Sequence, residues 1–268
     1  MDLRSQHVII TGASGGIGRA LCSGLIAAGA RVSALDIDES ALDRMLEDDA
    51  SGRLTTRVLD ITDTSACIEG FAALRSKNGP IDILINNAGI THFSSVADLE
   101  CETVAQVMAV NFQGAVNCTK AALPDLLERR GQVVVMSSVA GFAPLFGRAA
   151  YSASKHALHG FFETLRAETA ERGMNVLIVC PSFIASQRDN TSPSSPYPGA
   201  SRPGGASETF GQAMQPETAA REILQAIGRR TRDLRVGSLA KQSYWVRRLW
   251  PGLYEKIMVR SARREVGE

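Results

Sequence analysis

Apolar residues fall into short runs of four to six, each separated from the next by a longer amphipathic stretch. His7–Thr11, Arg31–Asp36, Leu54–Leu59, Ile81–Ile85, Val133–Met136 and Val176–Val179 each read as a strand. Their residues are apolar almost without alternation, as strands covered on both faces require. Helical periodicity fills the gaps, over Gly15–Gly29, Glu39–Asp49 and segments near 65–77, 101–129 and 150–172. Strand and helix alternating in this way predict crossover units. The fold class expected is therefore α/β: a doubly wound parallel sheet in a three-layer α/β/α sandwich, as a single domain. Pro216-Glu217-Thr218 marks a further helix start. The Pro-, Ser- and Gly-rich stretch Ser192–Ser207 predicts a mobile loop, within a wider loop of about 186–215. The body then covers 1–238, with a tail from 239 to 268 of different character.

Composition narrows the partners. The formal net charge is +1, with 21% charged and 44% hydrophobic residues, which supports a sizeable core and gives no reason to expect nucleic acid. The five cysteines (22, 67, 101, 118 and 180) are scattered and form no CxxC pair. They read as small core residues in a reducing compartment, with no metal site among them. No leader-like segment and no apolar stretch of bilayer length is present, so a cytoplasmic protein is expected.

Gly12-Ala-Ser14-Gly15-Gly16-Ile17-Gly18 lies where the first strand becomes the first helix. Glycines there let backbone amides approach a pyrophosphate, which the helix N-terminus stabilises. Asp36 ends the second strand, where a carboxylate reaches the ribose hydroxyls of a dinucleotide and repels a 2′-phosphate. With no Lys or Arg read in the turn or just after Asp36, NAD is expected over NADP.

Tyr151 and Lys155 stand four apart on a predicted helix and so share a face. An ammonium near a phenol favours the phenolate and lowers the tyrosine pKa from about 10, which suits general acid/base work. Ser138, just after the run Val133–Met136, brings a hydroxyl to the end of the preceding strand.

Taken in order, these motifs resemble those of the classical short-chain dehydrogenases/reductases over residues 5 to about 230. Thr11-Gly12-x-x-x-Gly16-x-Gly18 is similar to that family's cofactor turn, and Asn86-Asn87-Ala88-Gly89 to its Asn-Asn-Ala-Gly motif. The resemblance implies a Rossmann-like fold and hydride transfer between NAD and a secondary alcohol or ketone. It implies Asp60 and Ile61 at the adenine, Asn87, Ala88 and Gly89 along the cofactor, and a tetrad of Asn111, Ser138, Tyr151 and Lys155. In that tetrad Tyr151 is the acid/base and Ser138 bonds the substrate oxygen. Lys155 holds the nicotinamide ribose and depresses the tyrosine pKa, while Asn111 anchors a water of the proton relay. Pro181-Ser182-Phe183-Ile184-Ala185-Ser186 departs from the family's commoner Pro-Gly-x-x-x-Thr: Ile184 and Ser186 remain cofactor contacts, and Ser182 adds a side chain where glycine is usual. A homodimer or homotetramer, paired through the helices carrying Asn111 and Tyr151, is also implied.

Two rival readings use the same fold. A 3-ketoacyl carrier-protein reductase would normally use NADPH, against Asp36. A non-catalytic dinucleotide-sensing regulator has no need of Tyr151 or Lys155. An extended epimerase or dehydratase needs a larger C-terminal domain than this chain offers.

Phe142, Leu145 and Phe146 lie between Ser138 and Tyr151 and suggest a pocket for a lipophilic, steroid-like or long-chain substrate. His92 reads as a loop residue without a role in preference to one that touches substrate, and His156 and His159 as surface or subunit-contact positions. The tail from Leu239 holds both tryptophans, Trp245 and Trp250, among Lys241, Arg247, Arg248, Lys256, Arg260, Arg263 and Arg264. It predicts either an ordinary C-terminal helix folded onto the body or a segment in peripheral contact with an anionic membrane.

Overall fold

The computed structural model describes residues 3–185 and 213–266, with side chains to residue 260. Seven strands form one parallel sheet in the order β3-β2-β1-β4-β5-β6-β7. They are β1 (His7–Thr11), β2 (Arg31–Asp36), β3 (Leu54–Val58), β4 (Ile83–Asn86), β5 (Gln132–Met136), β6 (Asn175–Pro181) and β7 (Asp233–Val236). The helices of the body are α1 (Gly16–Ala27), α2 (Glu39–Glu47), α3 (Thr64–Asn78), α4 (Cys101–Met108), α5 (Gly114–Glu128), α6 (Ala149–Thr169) and α7 (Pro216–Gly228). The tail forms α8 (Ser238–Leu249) and α9 (Pro251–Val266).

Period-two alternation sends successive strand residues to opposite faces, and both faces are covered. Val8, Ile10, Val32, Ala34, Ile85 and Leu177 pack beneath α1, α2 and α7. Ile9, Leu35, Leu84, Val133, Val135 and Ile178 pack beneath α3, α5 and α6. Each strand therefore reads as a continuous apolar run, because neither side of the sheet meets water. Asp38 and Asp63 cap α2 and α3 by accepting the backbone N–H of Ala41 and Ala66.

Three departures from the sequence reading bear on the site. The predicted helix 101–129 is broken by a π turn at Ala109–Gln113, which contains Asn111. Strand β7 was not anticipated: Asp233-Leu-Arg-Val236 is an edge strand paired only with β6, and its polar residues hide its period. Gly12 has a positive φ of 62°, a turn requirement that sequence suggests but does not show. Pro216 opens α7 as expected. Most of the loop predicted at 186–215 lies outside the described residues.

Phe162 fills the core between α6 and the sheet with none of its surface exposed. We expect Phe162→Ala to lower stability by roughly 3–5 kcal/mol in urea unfolding. A loss below about 1 kcal/mol would mean that α6 is not packed as described.

Candidate active site

Strand order reverses between β1 and β4, so the loops leaving their C-terminal ends diverge and open a crevice. The Thr11 hydroxyl accepts the backbone N–H groups of Asn87 and Ala88, both at 3.1 Å. In return the Asn87 amide donates to the carbonyls of Thr11 at 3.0 Å and Gly12 at 2.9 Å. The glycines fit this close approach: a Cβ on Gly12 would lie 2.7 Å from Ala88 Cα, and one on Gly18 would lie 2.8 Å from Ala13 Cα. Helix α1 begins after Gly15 with no side-chain cap and no acid in its first turn. The amides of Gly16 and Ile17 are thus presented at a positive helix end without a competing side chain.

Asp36 is buried at the end of β2 and accepts three backbone N–H groups, from Ser14 at 2.9 Å, Ile37 at 2.8 Å and Asp38 at 3.2 Å. It therefore shapes the glycine turn as well as bringing a carboxylate to it. One expectation is corrected here. A cation does stand at the turn: the first turn of α1 folds Arg19 back, and its Nε donates to the Ser14 carbonyl at 2.8 Å. Asp60 is exposed, and its carboxylate accepts the Thr62 N–H at 2.9 Å and hydroxyl at 2.8 Å. Ile61 is buried against Gly114, while its carbonyl accepts the Asn117 amide at 3.0 Å. Ile184 bridges to Met214. Ser182 places its hydroxyl against Gly237, where any Cβ would lie 2.7 Å from it, so the serine is accommodated by a glycine across β6 and β7. Ser186 lies outside the described residues.

The four residues of the predicted tetrad converge at the same edge. Lys155 is buried, and its Nζ donates to the Met136 carbonyl at 2.8 Å, tying α6 to the end of β5. The same Nζ lies 5.5 Å from the centroid of the Tyr151 ring. Gly89 is close enough that a Cβ there would lie 3.5 Å from Lys155 Nζ and 3.2 Å from Asn111 Oδ1. Asn111 accepts the Ile90 N–H at 2.8 Å and donates to the Ile90 carbonyl and to Ser154 Oγ, both at 2.9 Å. Ser154 donates in turn to the Tyr151 carbonyl at 2.8 Å. Ser138 Oγ accepts the Ala140 N–H at 3.2 Å, which leaves its proton free to donate, and it is near enough to the Tyr151 hydroxyl to lower that group's pKa.

Burial sets the electrostatics. It pushes the Tyr151 pKa above its ordinary value, against the lowering effect of the Ser138 hydrogen bond and of Arg148. The expectation that a nearby Lys155 depresses the tyrosine pKa is therefore corrected for the protein by itself, where burial outweighs the lowering contributions. Burial also weakens the lysine as a cation, taking its pKa from 10.5 down to about 8.

Several residues near the site escaped sequence reasoning. Arg148 is buried three residues before Tyr151, donates to Thr91 Oγ1 at 2.7 Å, and stands 5.7 Å over the Phe93 ring. Among the described residues, neither ring nitrogen of buried His92 has a partner, so it is no ordinary loop histidine. His159 is half-buried and reaches inward: its Nε2 lies 3.0 Å from Ser137 Oγ and 3.6 Å from Cys180 Sγ, while its Nδ1 faces Glu163 at 3.4 Å. His156 is exposed, as expected. Four of the five cysteines are buried and Cys101 is exposed. Phe142 and Leu145 pack under the tail, so only Phe146 of that trio, 46% exposed, is left facing outward. A groove of about 460 Å³ between α1 and α7 is lined by Arg19, Ser23, Glu217 and Arg221, and it includes none of the tetrad.

Comparison with known proteins agrees with this geometry. A profile of the short chain dehydrogenase family matches residues 6–195. The chain belongs to the short-chain dehydrogenase/reductase family. It is 36% identical over 272 residues to a Drosophila melanogaster dehydrogenase/reductase SDR family protein 7-like, with 97% of this chain and 82% of that protein covered. It is 33% identical over 273 residues to the Bos taurus dehydrogenase/reductase SDR family member 7B, covering 98% of this chain and 83% of the relative. Among solved structures, a short-chain dehydrogenase/reductase from Burkholderia phymatum in complex with NAD superposes with a TM-score of 0.80 at 22% identity, covering 94% and 96% of the two chains. One from Burkholderia cenocepacia in complex with NADP gives 0.79 at 24% identity, covering 96% and 99%. The protein is thus an oxidoreductase of this family with a single Rossmann-like domain, and its structural neighbours bind a nicotinamide dinucleotide.

The buried lysine has a signature in stability. Between pH 8 and 10.5 the unfolded chain holds a proton on Lys155 that the folded chain has lost. The contribution of Lys155 to stability therefore rises with pH across that window, and the full cost of the buried charge applies below it. In unfolding at stepped pH, the stability difference between wild type and Lys155→Met should move in favour of wild type from pH 8 to 10.5. Parallel curves would show that the ammonium is solvated.

Proposed function

We propose that this short-chain dehydrogenase/reductase interconverts a secondary alcohol and a ketone with NAD, on a lipophilic substrate. The observation that carries the reading is the convergence of Ser138, Tyr151, Lys155 and Asn111 beside Gly89. Burying an ammonium is costly, and a dinucleotide-sensing regulator would have no use for one next to a tyrosine. The residues present suit the dinucleotide. The uncapped start of α1 suits its pyrophosphate, Asp36 a ribose diol, and Gly89 with Lys155 the second ribose. When bound, the nicotinamide supplies or accepts the hydride.

The chain's own residues handle the proton. In the oxidative direction Tyr151 takes the proton of the substrate hydroxyl, and Ser138 holds the substrate oxygen against it. The positive charge of Lys155 favours the phenolate once burial has made that form costly. Asn111, cross-bonded to Ile90 and Ser154, keeps α6 aligned with the loop after β4. Exposed Phe93, Val96 and Phe146 around the two loops flanking Tyr151 support a lipophilic substrate. The five free cysteines support a reducing compartment such as the cytoplasm. The resemblance to the family supports pairing of two or four copies through α4, α5 and α6.

Tyr151→Phe tests the chemistry: it keeps the ring and removes the titrating oxygen. We expect kcat to fall about 10²–10⁴-fold on any alcohol the wild type oxidises. If the variant keeps more than about a tenth of wild-type kcat, Tyr151 is not the acid/base and the mechanism must be withdrawn.

Coenzyme choice is tested separately. Asp36 favours NAD, and we expect a higher kcat/KM with NAD than with NADP, a gap that Asp36→Asn narrows while keeping a side-chain oxygen for the turn. Arg19 is the one feature that favours a 2′-phosphate. Equal or better turnover with NADP would shift the reading towards an NADPH-linked ketoacyl reductase.

A further inference from the structure

The tail has two faces, and only one is used by the body. Ala240, Val246, Tyr254 and Met258 pack onto Val139, Phe142, Ala143 and Leu145, the loop that follows Ser138. Tyr254 donates its hydroxyl to the Pro144 carbonyl at 3.1 Å, and Tyr244 meets Phe142 edge to face at 5.3 Å. The Arg235 guanidinium lies 3.6 Å over the Tyr244 ring. Helices α8 and α9 are therefore fixed on the body, beside the catalytic edge.

Their outward face is apolar where a solvated helix would be polar. Trp245, Leu249, Trp250, Leu253, Ile257 and Val259 are 57%, 55%, 58%, 49%, 44% and 40% exposed. The spacing is helical: Lys241, Trp245, Arg248 and Leu249 share one side of α8, and Leu253, Lys256, Ile257 and Arg260 one side of α9. Among residues with described side chains in these helices, five are basic, and the only acid is Glu255. Arg247 Nε is buried without a hydrogen-bond partner among the described residues.

We propose that α8 and α9 form a docking face for an anionic lipid surface. Tryptophans, branched aliphatics and long basic side chains on one exposed face are what the interface of a bilayer accommodates: rings and aliphatics enter the headgroup boundary while Lys and Arg reach anionic headgroups. A second copy of the chain fits worse, because a two-fold pairing of this face sets basic residues against their own copies. A nucleic acid would leave Leu249, Leu253 and Ile257 without partners. Among the described residues no helix is long and apolar enough to cross a membrane, so the face lies on the surface. Docking would hold the loop from Val139 to Leu145, and exposed Phe146 beside it, next to the bilayer. The inference stands independently of the reaction proposed above.

The chain's two tryptophans, Trp245 and Trp250, are both on this face, so their emission reports on it alone. The full chain is mixed with vesicles of phosphatidylcholine and phosphatidylglycerol in equal parts, or of phosphatidylcholine alone, then followed by fluorescence and flotation. We expect a blue shift and co-flotation with the anionic vesicles, reversed by salt. Arg248→Gln with Lys256→Gln should weaken partitioning about thirtyfold. Leu249→Ser with Leu253→Ser should abolish both signals while the thermal unfolding of the protein stays close to wild type. No shift with anionic vesicles, or binding indifferent to headgroup charge, overturns the proposal. So does a blue shift that grows with protein concentration in the absence of vesicles, which would assign the face to a second copy.

Discussion

A buried ammonium on a strand carbonyl organises the edge that carries the candidate tetrad. Lys155 loses its hydration beneath α6, and the Met136 carbonyl at 2.8 Å is the hydrogen-bond partner the structure gives it. An unpartnered charge in that position would be far more costly, so the end of β5 and the start of α6 are held in one arrangement. That arrangement brings Tyr151 over Ser138 and sets Lys155 beside Gly89. The same burial that fixes the geometry raises the tyrosine pKa and lowers that of the lysine, so the site is pre-arranged in shape but costly to charge. A bound cationic ring and a ribose are the groups that would relieve this cost.

A second cross-tie acts at the point where strand order reverses. Thr11, Asn87 and Asp36 come from the ends of three strands, and their side chains are bonded almost wholly to backbone of the glycine turn and of the loop after β4. Such bonds freeze the turn before any ligand arrives, so the ordering cost is met during folding and not on binding. Asp36 consequently has two tasks, and an effect of its replacement on coenzyme choice includes any loosening of the turn. Arg19, bonded at Ser14, places a positive charge against that carboxylate's preference.

The tail joins the catalytic edge to the outer surface. Its inner residues support the loop after Ser138, and its outer residues Trp245, Leu249, Trp250, Leu253, Ile257 and Val259 are all exposed. The two alternatives read from the sequence, a helix packed on the body and an interfacial segment, are therefore compatible. One face of the tail does the first, and among the described residues nothing covers the other.

Six of the seven strands and their parallel arrangement were legible because covering a sheet on both faces demands apolar runs, and runs are visible in one dimension; the glycine turn was legible as a local motif. The spacing of Tyr151 and Lys155 was legible for a similar reason, since four residues span about one helical turn. What the sequence could not settle depends on partners distant along the chain. Asn111 lies in a π turn whose register is visible only as hydrogen bonds. Arg19 reaches the glycine turn only because α1 folds it back over Ser14. His159 is drawn under the tetrad by Ser137 and Cys180, from two other strand ends. The direction of the Tyr151 shift in the protein by itself differs from the expectation for the same reason: a neighbouring charge can be read from spacing, whereas desolvation depends on everything that surrounds the group. Local periodicity thus determined the architecture and the pairing of Tyr151 with Lys155, resemblance to a family implied the rest of the candidate site, and tertiary packing decided burial, and with it the charge of the groups gathered there.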